Sequence, residues 1–256
     1  MEDWEKALAY LPKANRLMED FTGLQDVFRI EDNRNHIPFK LAIGAISNRF
    51  EGHLHSGKLY RAAWQKACRA GAEIYGGLRV VEWEQTSSGF NIHTDRLAPL
   101  HCGQILVCNN AFAAQLIPDA EVVPARGQIL LSKPMNHPLK GIYHFDQGYY
   151  YWRALGDRIL IGGARNKDMA TESTYEWGLN QKIQHELLRF LNEDVLQGNW
   201  PVEVDMQWSG TMGFGPSKSP IIRTISPGIH VGIRLGGMGV ALSSVIAGRL
   251  ASLVID

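Results

Sequence analysis

The chain has 256 residues, of which 45% are hydrophobic and 20% are charged, and its 26 basic side chains balance 26 acidic ones. These proportions are those of a globular protein and exclude a disordered or fibrous one. A chain without a basic excess is also a poor candidate for binding nucleic acid, and at ~150 residues per domain we expect one or two domains.

Three cysteines, Cys68, Cys102 and Cys108, are too few and too scattered for a disulfide scaffold or a zinc site. They fit a reducing compartment, so we expect a cytoplasmic location. The first six residues, MEDWEK, are acidic and unlike a signal peptide. No apolar run reaches the ~18 residues of a membrane-spanning helix, so we expect no membrane span.

The N-terminal half is predicted to contain two helices followed by short strands. Apolar spacing predicts a helix over residues 2–22, interrupted by Pro12, and a second helix that begins after an N-cap at Ser56 and ends before Gly71. Residues 41–50 fit a strand or a loop. The strands expected next are 73–75, 78–84, 89–94 and 104–108.

Two of these segments carry further expectations. Residues 78–94 are expected to fold as a hairpin, and the continuous apolar run 104–108 is expected to be a strand that is buried on both faces. A short helix is predicted over 111–116, before Pro118.

The C-terminal half begins with short segments at hairpin spacing, which predict an antiparallel sheet. Its expected strands are 127–132, 141–145, 148–153 and 158–162. An amphipathic helix over 179–196 and strands over 202–208 and 229–233 follow. A helix over 240–254 comes last, and the turn Gly236-Gly-Met-Gly239 opens it.

The Gly-rich turn at 236–239 is the strongest local signal of a site. Glycine allows a ligand to approach the backbone, and the N-terminus of the following helix favours an anion or an electron-rich ring edge. Close packing of the helix against the sheet explains the same glycines, and spacing alone leaves both interpretations open.

Other chemical constellations are weaker. Tyr149, Tyr151 and Arg153 alternate on one predicted strand and would line a pocket together, although cross-strand packing explains them as well. His53 and His55 lack a third ligand nearby in sequence, so no metal site is expected. The sequence contains no GxSxG elbow of a serine hydrolase and no GxGxxG turn of a dinucleotide site.

The order of several segments resembles the FAD-dependent oxidoreductases of the D-amino-acid oxidase, glycine oxidase and sarcosine oxidase group. The segments that carry the resemblance are SGKLYRAAWQKACRAGAEIYGGLRVVEWE (56–84), GQILVCNNAFAAQLIP (103–118), VVPARGQILLSKP (122–134), YYYWRALGDRILIGG (149–163), WSGTMGFGPSKSPII (208–222) and IHVGIRLGGMGVALSSVIAGRLASLVI (229–255).

The resemblance implies a mixed α/β fold. An incomplete Rossmann-like FAD-binding domain, 51–121 plus 229–256, would be interleaved with a substrate domain, 1–50 plus 122–228, that is built on an antiparallel sheet. Members of the family begin with a βαβ unit that carries GxGxxG, and this chain begins after it. We therefore expect a truncated form or one half of a split protein, with an unpaired edge in its parallel sheet.

The resemblance also implies roles for individual residues. Contacts to the isoalloxazine ring would come from Gly236, Gly237, Met238, Gly239 and Val240. The adenine would meet the backbone of Val80 or Val81. The turn near the pyrophosphate would be formed by Asn109, Asn110 and Ala111.

Two departures from the family pattern bear on chemistry. Many amino-acid oxidases bind the substrate carboxylate with an arginine where this chain has Met212, and this difference favours an amine substrate. Arg153 or Arg234 would be the substitute cation. No cysteine lies in 211–216, so the FAD is expected to be bound non-covalently. The expected pocket walls are Tyr151, Arg153, Met212 and Arg234.

The resemblance thus implies oxidation of a C–N bond in an amine or amino acid by hydride transfer to flavin. Two alternatives remain open at this stage. The first is an inactive homologue that binds FAD only with a partner segment. The second is a binding module without redox chemistry, against which the Gly-rich turns argue.

Overall fold

The computed structural model describes residues 2–31 and 39–255. Its α-helices are α1 (Glu2–Thr22), α2 (Ser56–Arg69), α3 (Met169–Glu172), α4 (Gln181–Phe190) and α5 (Gly239–Ile255). Its first six strands are β1 (Phe28–Glu31), β2 (Ala45–Asn48), β3 (Val80–Thr86), β4 (Gly89–Thr94), β5 (Leu100–Cys102) and β6 (Ile105–Val107). The remaining strands are β7 (Val123–Ser132), β8 (Ile142–Phe145), β9 (Tyr150–Leu155), β10 (Arg158–Gly163), β11 (Val204–Phe214), β12 (Ile221–Ser226) and β13 (Ile229–Ile233).

The chain forms two compact units, each made of several segments. Unit 1 consists of Met1–Leu54, Gln128–Lys167 and Gln181–Trp208. Unit 2 consists of His55–Gly127, Asp168–Asn180 and Ser209–Asp256. The division into a cofactor domain and a substrate domain is a statement about function and stays a prediction.

A five-stranded sheet has the order β11-β7-β10-β9-β8. Strands β8, β9 and β10 lie in unit 1, together with residues 128–132 of β7 and 204–208 of β11. Strand β10 pairs antiparallel with β7 and β9, and β9 pairs antiparallel with β8, as the hairpin spacing predicted. Helix α4 contributes Ile183, Leu187 and Phe190 to the core of this unit. Their spacing of three and four residues places them on one helical face, and a π-helical turn, Leu191–Val195, continues the helix.

The predicted N-terminal helix is confirmed as α1, which continues through Pro12. None of its residues is fully buried, so packing alone does not hold it in place. The Asn15 side chain binds the backbone of Phe28 twice. Its Nδ2 donates to the carbonyl oxygen at 2.9 Å, and its Oδ1 accepts from the N–H at 2.8 Å. These two bonds fasten the helix to β1.

Unit 2 contains a three-stranded sheet with the order β12-β13-β6, in which β13 and β6 are parallel. All five residues of β13 are buried. Helix α5 covers this sheet through Ile246 and Leu250, which lie so close to Gly232 that a Cβ there would meet both. The same unit holds a second sheet, β3-β4-β5, whose first two strands are the predicted hairpin.

The prediction that the run 104–108 is buried on both faces is wrong. Ile105 and Val107 face the core, but Leu106 is 41% exposed. Strand β6 is the last strand of its sheet, and among the described residues it pairs with β13 alone. Its outward face therefore lacks the covering layer that parallel strands normally have.

The start of α2 also differs from the prediction. His55 rather than Ser56 caps the helix, because its Nδ1 accepts from the N–H of Lys58 at 3.4 Å. The stop at Gly71 is confirmed by its φ of +91°, which a residue with a Cβ adopts at a cost. The strand predicted over 73–75 is absent, since these residues make no ladder with any described segment.

Searches for two further features apply to the described part of the chain. None of its helices is long and apolar enough to cross a membrane. It also holds no group of three or more His, Cys, Asp and Glu side chains arranged to bind a metal ion.

The buried face of α4 makes the first testable prediction. Leu187 is 0% exposed, so Leu187→Ala should lower the free energy of unfolding by about 2–5 kcal/mol through lost burial and the cavity left behind. Leu17→Ala is the matched control, because Leu17 is 56% exposed on α1. Urea denaturation measures both, and equal effects of the two variants would contradict this packing.

Candidate functional site

The parallel pairing of β6 and β13 brings two turns together. Parallel strands end at the same edge of a sheet, so the turn after β6, residues 108–111, lies beside the turn after β13, residues 234–238. Ligands of open α/β sheets bind at such carboxyl ends. The parallel sheet edge in unit 2 is therefore the place where a ligand site is expected.

Asn110 joins the two turns. Its Oδ1 accepts the N–H of Leu235 at 3.0 Å, and its backbone lies in the left-handed region with a φ of +48°, which asparagine tolerates better than most residues. A third segment meets them, because the carbonyl oxygen of Gly213 accepts the N–H of Gly236 at 2.9 Å. A Cβ on Gly213 would lie 2.8 Å from the Oδ1 of Asn110, so only glycine fits there.

The turn at 236–239 offers an open backbone. Gly236 has a φ of +57°, and a Cβ added to Gly237 would meet nothing within 4 Å. Met238 is 59% exposed. Helix α5 begins at Gly239, and its first backbone N–H groups give this end a partial positive charge. Four of the five positions predicted to contact a flavin ring, 236–239, thus present accessible backbone beside a helix N-terminus.

The Arg234 guanidinium forms its hydrogen bonds with other groups of the chain. This buried residue has a φ of +63°, and its Nε donates to the carbonyl oxygen of Ser219 at 3.0 Å. One Nη donates to the Oγ of Ser217 at 3.2 Å, and the other lies 3.4 Å from a carboxylate oxygen of Glu121. The guanidinium therefore supports the loop before β12, and a catalytic role for it stays a prediction.

A cavity of about 1040 Å³ lies within unit 2. Three residues predicted from the family resemblance line it together, namely Val80, Val81 and Asn109. The other lining residues come from β3 to β6, from the 3₁₀-helix Asn110–Gln115 and from the segment before α4: Leu78, Arg79, Trp83, Ile92, Asp95, Cys102, Gln104, Ile105, Leu106, Val107, Cys108, Phe112, Gln115, Leu116 and Tyr175.

The cavity walls are mainly apolar and aromatic, with few polar groups, as in most small-molecule sites. The backbone N–H of Arg79 donates to Asp95 at 3.0 Å, and its guanidinium donates to the Oε1 of Gln115 at 3.4 Å. Desolvation raises the pKa of the Cys102 and Cys108 thiols, so both are poor nucleophiles at neutral pH. The walls suit binding rather than covalent chemistry.

Sequence reasoning did not find Phe112 and Tyr175. Their rings lie 5.5 Å apart at 36°, and both line the cavity. Phe112 follows the turn that contains Asn109, which was a usable signal. Tyr175 is 63 positions further along the chain, and no local pattern connects it with the cavity.

Tyr151 and Arg153 lie in unit 1 on β9, where Trp152 between them points into the core. The Tyr151 ring packs over Gly162, its partner on β10, where a Cβ would lie 2.6 Å from the ring. Desolvation by burial raises the pKa of Tyr151 to about 12. No partner of the Arg153 guanidinium is found within residues 2–31 and 39–255.

The fourth predicted pocket wall, Met212, lies in unit 2 on β11. Its Cε packs so closely on Gly127 that a Cβ there would lie 2.9 Å away. Of the four predicted wall residues, Tyr151 and Arg153 thus belong to unit 1, and Met212 and Arg234 belong to unit 2. Their catalytic roles stay predictions.

The residues of unit 2 fit a dinucleotide in part. The cavity, the open Gly236–Gly239 turn and the N-terminus of α5 suit an aromatic ring system and an anionic group. The sequence lacks the GxGxxG turn that holds a pyrophosphate in Rossmann-like sites. The residues of unit 2 therefore suit the rings of a dinucleotide, but they offer its phosphates fewer backbone N–H donors than a GxGxxG turn would.

The amino-acid sequence is similar to that of known proteins. A family model, DAO, described as FAD dependent oxidoreductase, matches residues 1–253. The probable oxidoreductase OrdL of Rhizobium meliloti (strain 1021) is 25% identical over 202 residues, which are 75% of this chain and 45% of that protein. The chain thus spans less than half the length of this curated relative.

Solved structures share the fold. Iminodiacetate oxidase (IdaA) from Chelativorans sp. BNC1 superposes with a TM-score of 0.76 at 18% identity, over 94% of this chain and 68% of that one. Glycine oxidase from Geobacillus kaustophilus gives 0.75 at 18% identity, over 97% and 77%. The predicted mixed α/β fold with antiparallel sheets is confirmed.

The bridge made by Asn110 yields a prediction about stability. Asn110→Ala should lower the free energy of unfolding by about 2 kcal/mol, because the N–H of Leu235 loses its acceptor and alanine resists a positive φ. Asn109→Ala is the control, since the Asn109 side chain makes no capping bond and has a φ of −81°. Thermal and urea unfolding of both variants test this, and a neutral Asn110→Ala would contradict the bridge.

The buried phenol of Tyr151 yields a prediction about alkaline pH. Burial raises the pKa of the Tyr151 phenol to about 12, from an ordinary value of 10.0 in the unfolded chain. The neutral phenol therefore contributes its full stability below pH 10.0, and this contribution is lost as the pH rises toward 12. Tyr151→Phe should therefore show a smaller fall in unfolding free energy between pH 10 and 12 than the parent does. Tyr10→Phe, at an exposed position on α1, should behave as the parent.

Proposed function

The chain belongs to the family of FAD-dependent oxidoreductases, and from that premise we propose that it oxidises a C–N bond of a small amine or amino acid with non-covalently bound FAD. The observation that carries the proposal is the cavity of unit 2, which gathers Val80, Val81 and Asn109 beside the strand-end turns. The family resemblance inferred from the sequence is confirmed by the match over residues 1–253.

We assign the cofactor contacts as follows. Val80 and Val81 present backbone groups to the adenine. Asn109, Asn110 and Ala111 form the turn beside the pyrophosphate. The isoalloxazine ring would be held by Gly236, Gly237, Met238, Gly239 and Val240. When bound, FAD supplies the two-electron acceptor for hydride transfer from the substrate carbon. The N-terminus of α5 stabilises negative charge at this place.

The substrate side of the proposal rests on Tyr151, Arg153 and Met212. Arg153 is the better candidate for a substrate carboxylate than Arg234, because the Arg234 guanidinium already binds Ser219, Ser217 and Glu121. The protonated Tyr151 phenol orients the substrate and donates a hydrogen bond. Two structural neighbours are an iminodiacetate oxidase and a glycine oxidase, and their substrates favour a small amine or amino acid here.

A second candidate is a chain that binds FAD tightly only when a further βαβ segment is added. The favouring observation is the outer face of β6, where Leu106 is exposed and no described strand pairs with the edge. Helix α2, which has no buried residue, presents Leu59, Tyr60 and Trp64 to solvent in the same unit. We propose that a strand added along β6 would cover Leu106, and that the added βαβ segment would supply backbone donors for the phosphates.

The proposed location is the cytoplasm. All three cysteines are free thiols, which is the usual state in a reducing compartment.

Cysteine labelling combined with a flavin spectrum tests the proposed cofactor site. The purified chain is mixed with FAD, freed of excess ligand and examined by visible absorption. Iodoacetamide labelling at an alkaline pH, where a larger share of these thiols is ionised, is then followed residue by residue by mass spectrometry. Bound FAD should slow labelling of Cys102 and Cys108, which line the cavity, by about tenfold or more. Cys68 on α2 lines no part of it and serves as the internal control.

The same samples separate the candidate functions. Anaerobic addition of glycine, iminodiacetate or a simple secondary amine should bleach the flavin band if the chain is an oxidoreductase. A retained flavin that no substrate in the panel bleaches would indicate a binding module without redox chemistry. The second candidate would be favoured if the chain alone is colourless and retains flavin only after a separate βαβ segment with a GxGxxG turn is added.

A further inference from the structure

The segment Asp168–Asn180 contributes one wall of the cavity in unit 2. It belongs to that unit although the residues on both sides of it in the chain belong to unit 1. It contains the single helical turn of α3 and, three residues later, Tyr175, which lines the cavity. A short segment with so little regular structure needs other contacts to hold Tyr175 in place.

Those contacts come from a buried ion pair. Arg126 on β7 is 8% exposed and Glu172 at the end of α3 is 0% exposed. The guanidinium donates to both carboxylate oxygens of Glu172, from Nη2 at 2.8 Å and from Nε at 3.1 Å. This is the bidentate geometry that makes arginine–carboxylate pairs both strong and directional.

Three more hydrogen bonds extend the pair along the segment. The remaining Nη of Arg126 donates to the carbonyl oxygen of Glu176 at 3.0 Å. The Nδ2 of Asn180 donates to Glu172 at 3.0 Å and to Asp168 at 3.0 Å. The anchored positions 172 and 176 enclose Tyr175, so one guanidinium holds the chain on both sides of that ring.

Stability alone is a weak reason for this arrangement. Desolvating an arginine and a glutamate offsets much of their attraction, and apolar residues of similar size often stabilise a core as well. What the pair does supply is a defined position for the backbone on either side of Tyr175. The Tyr175 ring lies 5.5 Å from that of Phe112, and the two form an aromatic wall of the cavity.

We propose that Arg126 and Glu172 are positioning residues for this wall, and that a planar ring of the bound ligand stacks on Tyr175 and Phe112. The inference deepens the proposed function and rests on it, since it takes FAD as the ligand. Stacking fits a cavity wall that contains two aromatic rings, because aromatic side chains are the groups on which planar ligand rings stack.

The first test needs no ligand. Arg126→Lys keeps the positive charge beside Glu172 but loses the fork and the bond to Glu176, so it should raise amide hydrogen exchange in residues 169–179 by about tenfold. Exchange in α5 should stay as in the parent. Glu203→Gln is the control, because Glu203 forms an exposed ion pair with Lys133. Unchanged exchange in 169–179, or faster exchange throughout unit 2, would overturn the positioning role.

The second test is a double-mutant cycle on the affinity for FAD, with ADP as a second probe. Tyr175→Ala should weaken binding of one or both probes by about tenfold, the effect of removing a ring stacked on a base, while Tyr175→Phe should stay within about twofold. Arg126→Lys should weaken the same binding about fivefold in the parent and less than about twofold in the Tyr175→Ala background. A merely structural role would give the same factor in both backgrounds.

The outcomes distinguish this inference from the proposed function. A chain that binds FAD equally well with Tyr175→Ala overturns the aromatic wall and leaves the function standing. A chain that binds neither FAD nor ADP, alone or with the added βαβ segment, overturns the proposed function and the stacking role together, and the exchange experiment still decides whether Arg126 holds the segment.

Discussion

The site depends on the parallel pairing of β6 with β13. Because the two strands run in the same direction, their carboxyl ends meet, and residues more than 100 positions apart in the chain form one edge. The Asn110 side chain then fastens one turn to the other, and Gly213 fits beside it only because it lacks a Cβ. The open Gly236–Gly239 backbone and the N-terminus of α5 owe their position to this pairing.

Buried charge in unit 2 serves the architecture of the site. Arg234 supports the loop before β12, and Arg126 holds the segment that carries Tyr175. Both guanidinium groups are desolvated, so their hydrogen bonds to chain oxygens are what make their burial tolerable. A cation that is to meet a substrate carboxylate must keep its donors available, and in this chain Arg153 meets that condition better than Arg234.

The uncovered face of β6 connects the fold with the cofactor. Leu106 on that face also lines the cavity, as do Val80 and Val81, which are themselves exposed. Removing apolar groups of this kind from water lowers the free energy by roughly 25 cal/mol per Å². A ligand ring or a further layer of chain would do this.

The sequence by itself determined the elements whose signals are local. The strand β13, the hairpin of β3 and β4 and the helices α1 and α5 follow from the apolar pattern and turn residues within each segment, as does the stop at Gly71. Only the tertiary structure decided that Leu106 is exposed, that Arg234 is committed to Ser217 and Ser219, and that Tyr175 reaches the cavity. Each of these depends on groups distant in the chain, and periodicity reports the burial of a face but not which group, if any, covers it.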